Sequence, residues 1–136
     1  MPVTTLYGYS IYGALEYNIT SRTLINVNNG KIKRFGETKA RLFAYLLENS
    51  EKAFILDEQI FVDVFEVNGL RCSKSYLWGM IRQLHLAFIS VGFERAPIQR
   101  YEHKGYRVDL ENVVEIYTRK KKNKSTNMEE ALWPSC

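Results

Sequence analysis

Basic and aromatic side chains gather in the stretch YEHKGYRVD, residues 101–109. Two tyrosines and three basic groups, His103, Lys104 and Arg107, lie around Gly105. A tight turn needs only the glycine, because glycine adopts positive φ at little cost. The additional positive charge predicts that this turn contacts a negatively charged partner.

Charge is distributed unevenly along the chain, whose net charge is +4. Residues 37–66 hold three basic and seven acidic groups, a net of −4, whereas residues 71–107 hold seven basic and two acidic groups, a net of +5. Such asymmetry fits either an ordinary solvated surface or a basic face that attracts a polyanion. Both interpretations stay open at this point.

Residues typical of catalysis or metal binding do not occur in a recognisable arrangement. There is no glycine-rich phosphate loop and no pairing of a nucleophile with histidine at a known spacing. His85 and His103 match no metal-binding spacing, and Cys72 and Cys136 are interpreted as free thiols in a reducing cytoplasm. We therefore predict that the protein is not an enzyme and uses no cofactor or metal.

The length of 136 residues fits one domain with short tails. No run of 18 apolar residues is present, and the start, MPVTTLYGYS, has neither the basic nor the apolar region of a signal peptide. These features predict a cytoplasmic location.

Strand signals dominate the first 35 residues. GALEYNI and TLINV are rich in β-forming residues, NVNNGK is a strong hairpin signal, and KIKRF follows as a further strand. The pattern predicts an antiparallel sheet, preceded by an N-terminal extension over residues 1–9.

Three helices are predicted next, from apolar residues at helical spacing. The first spans residues 37–49, and the second spans residues 57–65 with Asp57 as its N-cap. The third and longest spans residues 73–91, with Ser73 as its N-cap. The stripe that this third helix buries comprises Leu77, Ile81, Leu84 and Phe88.

The opposite face of the third helix carries Ser75, Trp78, Gly79 and Arg82. A glycine inside a helix costs about 1 kcal/mol relative to alanine, and Trp78 faces away from the core. Either both residues pack against a loop, or Gly79 lets a large partner approach while its neighbours make the contacts.

A hairpin and a basic tail complete the chain. IQRYEH and YRVDL alternate as two strands joined across His103–Gly105, with Tyr106 assigned to the core. Residues 10–114 would form the domain and 115–136 a disordered tail, in which five of the six residues from Arg119 to Lys124 are basic. This tail is either simply solvated, attracted to phosphates, or adjacent to a membrane surface.

Three strands, three helices and a hairpin in this order give an α+β winged helix-turn-helix. Residues 24–109 resemble the effector domain of OmpR/PhoB-type bacterial response regulators and their one-component ToxR, CadC and TcpP-like relatives. The family's paired first-helix leucines match ARLFAYLLEN, its second-helix segment matches FILDEQIF, and its closing Gly-Tyr-Arg matches YEHKGYRVD. Its third-helix pattern is matched by Ile81, Leu84, His85 and Phe88.

Several positions depart from the family pattern. His85 replaces an arginine, and Glu102 stands where a wing arginine often enters the minor groove. Leu56 replaces the serine that usually opens the second helix, one extra residue lies near Lys52, and the phosphorylated receiver domain is absent. Phosphorelay control within this chain is therefore not expected.

The resemblance implies a sequence-specific regulator of transcription that binds double-stranded DNA. Helix 73–91 would enter the major groove, which admits one helix, and the wing 98–109 would reach the adjacent minor groove. Gln83 suits adenine, and Arg82 either reads guanine or, as the resemblance implies, binds phosphate. Arg107 either contacts DNA or pairs with an acidic group of an earlier helix. The predicted contacts are Lys74, Ser75, Tyr76, Trp78, Gly79, Arg82, Gln83, Arg100, His103, Lys104 and Arg107.

Further expectations rest on the resemblance alone. Glu66, Asn68 and Leu70 would contact RNA polymerase, and two copies would bind tandem half-sites. The chain would act at the bacterial nucleoid as a virulence-type regulator, either by itself or as the cytoplasmic part of an inner-membrane regulator. The alternative function is a winged-helix module that binds another regulator and has lost specific DNA binding, favoured by Trp78, Gly79, Leu86 and Glu102.

Overall fold

The computed structural model describes residues 3–120 of the chain. Its strands are β1 (Val3–Ile11), β2 (Leu15–Asn18), β3 (Thr23–Asn26), β4 (Ile32–Arg34), β5 (Ile55–Leu56), β6 (Ile98–Tyr101), β7 (Gly105–Val108) and β8 (Val113–Lys120). Its helices are α1 (Glu37–Glu48), α2 (Asp57–Ile60) and α3 (Lys74–Ser90). The predicted α+β class, with an N-terminal antiparallel sheet, three helices and a C-terminal hairpin, is confirmed.

The larger sheet has the strand order β4-β3-β2-β1-β8, and all its pairs are antiparallel. Tyr9 pairs with Tyr17 and Ile11 with Leu15, so these four side chains share one face, which is fully buried. Leu24 of β3 adds to the same face. This face forms the floor of the core.

The boundaries of the domain differ from those expected from the sequence. Residues 3–9 were expected as an extension and 115–120 as part of a tail, but they form most of β1 and β8, which pair over their whole length. The register shifts between Leu6 and Gly8. A Cβ added at Gly8 would lie only 1.8 Å from the carbonyl oxygen of Tyr17. Tail residues 121–136 lie outside the described part of the chain.

The helices pack on this floor through an aromatic cluster. Phe43 of α1 contacts Tyr17, Phe35 and Phe88 edge-on, with ring centroids 4.9, 5.5 and 5.8 Å apart. All four rings are buried, and edge-to-face pairs of this kind contribute about 0.5–1.5 kcal/mol each beyond the area they bury. The cluster therefore fixes α3 relative to both α1 and the sheet.

The second helix differs in detail from the prediction. Leu56, not Asp57, occupies the N-cap position, and Asp57 is the first helical residue with its side chain fully buried. After α2 the chain continues as a π-helical turn, Phe61–Phe65, and a 3₁₀ turn, Glu66–Asn68. The wider π turn with its i→i+5 bonds brings Phe65 to the same side as Ile60, and both are buried.

The smaller sheet, β5-β7-β6, contains the hairpin β6–β7 that forms the wing. The segment AFIL, residues 53–56, contains β5, in which Ile55 pairs with Tyr106 and Leu56 with Gly105. A Cβ on Gly105 would lie 2.3 Å from the carbonyl oxygen of Ile55. Gly105 is thus required for the close approach of two strands, and the turn itself lies earlier.

Candidate nucleic-acid interface

The helix α3 begins and buries its stripe as the sequence predicts. The Ser73 hydroxyl accepts a hydrogen bond of 3.1 Å from the backbone N–H of Tyr76, which confirms Ser73 as the N-cap. The buried side chains of α3 are Leu77, Met80, Ile81, Leu84, Ala87 and Phe88. The opposite face is left uncovered by the described residues.

The helix residues predicted to contact DNA lie on or beside this uncovered face. Gly79 is half-buried, yet apart from its chain neighbours and the nearby helix backbone no atom of residues 3–120 lies within 4 Å of the position that its Cβ would take, so no loop in this part of the chain covers it. Trp78 is 57% exposed. The interpretation in which both pack against a loop is therefore wrong. The remaining predicted helix residues, Lys74, Ser75, Tyr76, Arg82 and Gln83, are all exposed.

Three exposed apolar side chains lie on or beside the same face. Leu86 is 50% and Ile89 51% exposed, in addition to Trp78. Only Lys74 and Arg82 provide positive charge from α3 itself. The outer surface of the helix is therefore mixed in character, with arginine beside aromatic and aliphatic groups.

The wing is anchored to the helices by an ion pair. Arg100 of β6 places Nη1 2.7 Å from Oδ1 and Nη2 2.9 Å from Oδ2 of Asp57, the bidentate geometry typical of arginine and carboxylate. Its Nη2 also donates to the carbonyl oxygen of His103 at 2.8 Å. Lys74 approaches from α3, with Nζ 3.6 Å from Oδ2 of Asp57.

This network corrects the predicted role of Asp57. The carboxylate does not cap the second helix, because the charges of Arg100 and Lys74 draw it into the interface between helix and wing. Arg100, and not Arg107, thus forms the ion pair with an acidic group of an earlier helix. Arg107 itself lies on the other face of the hairpin, beside Ser50–Ala53, and its contact with DNA stays a prediction.

The wing tip has a strained turn. Glu102 and His103 have φ values of 46° and 62°, and the N–H of Lys104 donates to the carbonyl oxygen of Tyr101 at 3.0 Å, so the turn is of type I′. Asn and Gly are the usual residues there, because other residues lose roughly 1–2 kcal/mol at positive φ. Glycine was expected inside the turn, whereas Gly105 follows it as part of β7.

Two stacked aromatic rings lie beside Lys104 at the wing tip. Phe54 and Tyr101 stack with their centroids 4.5 Å apart, and Nζ of Lys104 lies 5.2 and 5.8 Å from the two rings. Lys104 is also 3.7 Å from Glu102, which offsets part of its charge. His103 is exposed. The tip therefore presents one lysine and one histidine beside an acidic group.

A cleft of about 420 Å³ separates α3 from the wing. Each wall carries an arginine against an aromatic ring: Arg82 lies 5.8 Å from the Trp78 ring on α3, and Arg100 lies 4.7 Å from the Tyr106 ring on the wing. Tyr106 is buried, as predicted, and burial raises the pKa of its phenol. A polyanion that crosses this cleft would meet cationic groups held in place by flat apolar surfaces.

His85 forms part of the floor of the same cleft. The backbone N–H of Ala96 donates to its Nδ1 at 3.0 Å, so the neutral ring carries its proton on Nε2. Burial, and secondarily the charge of Arg95, lower the pKa of His85 below its ordinary value. The residue that replaces the arginine of the resembled family is therefore a neutral hydrogen-bond donor.

The loop expected to contact RNA polymerase is exposed. Glu66 and Leu70 are exposed, and Asn68 is exposed with its Nδ2 donating to the carbonyl oxygen of Val64 at 2.8 Å. This loop precedes α3. The geometry leaves it accessible, and its partner stays a prediction.

Within residues 3–120, no three His, Cys, Asp or Glu side chains are grouped so that they could hold a metal ion. Cys72 is half-buried, and burial raises the pKa of its thiol. No helix in this part of the chain has the length and apolar character required to cross a membrane.

The sheet, the three helices and the hairpin together define a winged helix-turn-helix fold. Among solved structures, the chain is similar to the DNA-binding domain of E. coli CadC, with a TM-score of 0.57. The similarity covers 79% of this chain and 92% of that chain at 12% sequence identity. It confirms the predicted fold. No protein-family model and no curated protein matches the sequence.

Proposed function

We propose that this protein is a sequence-specific regulator of transcription that binds double-stranded DNA. The observation that carries the proposal is the pairing of Arg100 of the wing with Asp57 of α2, which Lys74 of α3 also approaches, so that the wing is held beside α3. A helix and a hairpin held side by side can engage a major groove and the minor groove next to it.

In this mode α3 lies in the major groove, amino end first. Gln83 can pair with adenine through two hydrogen bonds, and the methyl groups of thymine can contact Trp78 or Leu86. Arg82 binds a phosphate, and Nε2 of His85 donates to the DNA backbone within the cleft. The wing tip, with His103 and Lys104, reaches the minor groove.

The half-buried Gly79 contributes because it has no side chain. The space above it is open, so the duplex can approach the helix axis there more closely than at any side chain. Ser75 and Tyr76 lie near the start of α3, where backbone N–H groups favour a phosphate. Two copies on tandem half-sites would extend the contact, and the loop with Glu66, Asn68 and Leu70 would be free to meet RNA polymerase. With DNA as its partner, the chain would act in the bacterial cytoplasm at the nucleoid.

Salt dependence provides the direct test. Binding to labelled duplexes from the source genome, followed by fluorescence anisotropy between 50 and 300 mM salt, should give a log K that falls linearly with log salt. A protein that neutralises several phosphates shows a steep slope, about 0.9 for each phosphate. Weak binding to every duplex even at 50 mM salt would contradict the proposal.

A second candidate function is supported by the apolar groups on or beside α3. Trp78, Leu86 and Ile89 are each at least half exposed, and Glu102 at the wing tip repels phosphate. A module with this surface could bind another regulator, either by itself or as the cytoplasmic part of an inner-membrane regulator. Capture of a defined regulator by a chain that binds no duplex would favour this second function.

A further inference from the structure

Two lysines face α3 from the side opposite the wing. Lys33 of β4 and Lys39 of α1 line a hollow of about 210 Å³ together with Gln83, Leu86, Ala87 and Ser90 of α3. The cleft on the wing side is lined by different residues of α3, namely Trp78, Ile81, Arg82 and His85. The uncovered face of α3 therefore lies between two hollows. Arg100 lies across the hollow on the wing side, and Lys33 and Lys39 lie across the other.

Helix geometry supports this arrangement. Successive residues of a helix are rotated by about 100°, so Arg82 and Leu86 lie near the middle of the uncovered face. His85 and Gln83 lie on opposite sides, each about 80° around the helix axis from the midpoint between Arg82 and Leu86. His85 belongs to the hollow on the wing side and Gln83 to the hollow with the lysines. A duplex resting on the face would reach both hollows.

Lys33 is directed into this hollow by the register of the edge strand. It pairs with Leu24, whose side chain is buried in the inner face of the sheet. Opposed residues of an antiparallel pair point to the same side, so Lys33 projects from the inner face at the sheet edge, towards α3. The alternating neighbours Ile32 and Arg34 point to the outer face.

The two lysines lie close enough to repel each other. Burial and the charge of Lys33 lower the pKa of Lys39, and Nζ of Lys39 lies 5.8 Å from the centroid of the Phe35 ring. No carboxylate within residues 3–120 lies within 4 Å of either ammonium group. Two cations on one hollow, without a carboxylate partner, are suited to bind an anion between them.

We propose that Lys33 and Lys39 bind phosphates of the DNA backbone, so that the duplex is held on both sides of α3: by the wing on one side and by β4 and α1 on the other. This inference rests on the proposed function and adds a second contact region to it. Gln83, at the boundary of the hollow, would then lie between the bases and this backbone.

The test compares two double variants that each remove two positive charges. Lys33→Ala with Lys39→Ala should reduce the slope of log K against log salt by about 1.8 and weaken binding roughly 60-fold at 0.1 M salt. The control, Arg34→Ala with Arg41→Ala, removes two charges from the same two elements. Arg34 of β4 points to the outer face of the sheet, and Arg41 of α1 pairs with Glu37 and lines a different hollow, with Asp63. It should change the slope by less than about 0.5.

Phosphate ethylation interference locates the contact. The wild type should show sensitive phosphates on both sides of the occupied major groove, and the Lys33–Lys39 variant should lose those farther from the wing. If the two double variants bind alike and show the same interference pattern, this inference is wrong, although a steep wild-type slope would still support DNA binding. If the wild type binds no duplex, the proposed function fails first.

Two further measurements test other roles for Lys33 and Lys39. Inorganic phosphate, titrated at constant ionic strength while the NMR signals of Lys39 and Gln83 are followed, detects a site for a free ion. Saturable shifts together with an unchanged duplex slope in the variant would overturn the assignment to DNA. An inward lysine also protects an edge strand from pairing, and a Lys33→Ala protein that dimerises with unchanged DNA binding would likewise overturn it.

Discussion

The guanidinium group of Arg100 and the carboxylate of Asp57 form two parallel contacts, of 2.7 and 2.9 Å, across 43 residues of sequence. The side chain of Asp57 is 1% exposed and that of Arg100 is 33% exposed. Because the carboxylate is buried and the arginine reaches it from the wing, the pair fixes the hairpin to the start of α2, and Lys74, with Nζ 3.6 Å from Oδ2 of Asp57, connects both to α3.

Removal of Arg100 should therefore cost more than removal of an ordinary surface arginine. Arg100→Ala leaves the buried carboxylate with Lys74 as its nearest cation, and we expect the free energy of unfolding to fall by about 3 kcal/mol. Arg107→Ala, on the other face of the same hairpin, should change it by less than about 0.5 kcal/mol. Urea denaturation measures both, and equal losses would show that the ion pair does not anchor the wing.

Arg82 should act through its charge. Arg82→Ala should weaken binding to every duplex and reduce the salt slope by about one unit, because one phosphate contact is lost. Trp78 lies 5.8 Å from the guanidinium, so Arg82→Lys, which keeps the charge, is the matched control and should retain most of the slope. Binding by Arg82→Ala that equals the wild type would remove this residue from the contact surface.

Gly79→Ala should raise the stability of the fold and lower its affinity for DNA. The introduced methyl group enters open space and removes a glycine from a helix interior, so the free energy of unfolding should rise by about 1 kcal/mol. The same methyl group would stand between α3 and an approaching duplex, and DNA affinity should fall. A stabilised variant with unchanged affinity would indicate that no partner comes close at this position.

The wing tip should become more stable when its turn carries residues that favour type I′ geometry. Replacing Glu102 with Asn and His103 with Gly provides the residues that a type I′ turn favours, and the free energy of unfolding should rise by about 1–2 kcal/mol. Glu102→Gln alone is the control, since it removes the negative charge and keeps the backbone cost. A loss of stability in the Asn-Gly variant would mean that the turn type differs from the one described.

His85 should make stability depend on pH. Its pKa is lowered in the folded state, so the unfolded chain binds the proton more tightly. Stability is then greatest above the ordinary histidine value of about 6.5 and declines as the pH falls through that value towards the lower folded pKa. His85→Gln should reduce this decline, measured by denaturation between pH 7.5 and 5. His103→Gln, which removes the exposed imidazole, is the control, and an unchanged decline in His85→Gln would contradict the assignment.

Much of the fold could be predicted from local patterns. The helix α3 was found to within a residue at each end, because its apolar period and the Ser73 cap are both local signals. The strands β2, β3 and β4 were found for the same reason, since the Asn-Asn-Gly turn joins β3 to β4. These elements depend on neighbours in sequence, which a single chain reveals.

Features that depend on distant partners were missed. The strand β1 alternates poorly and contains a glycine, and its first half, residues 3–6, has ladder partners only in β8, about a hundred residues later. Asp57 looked like a cap because aspartate before a helical pattern usually caps it, but the charge of Arg100 in the wing determines its position. Lys33 gave no signal, because its inward direction follows from its register with Leu24.

The antiparallel pairing of β1 and β8 also governs how the protein responds to mechanical load. Val3 is the register partner of Lys120, so a pulling force applied between these two positions acts on one end of the strand pair. The ladder bonds run perpendicular to the strands, and they would break one after another, as in a zipper, instead of sharing the load. An optical-trap experiment with handles at residues 3 and 120 should therefore record a low initial rupture force, with α1, α3 and the wing still assembled when β8 has been peeled from the sheet.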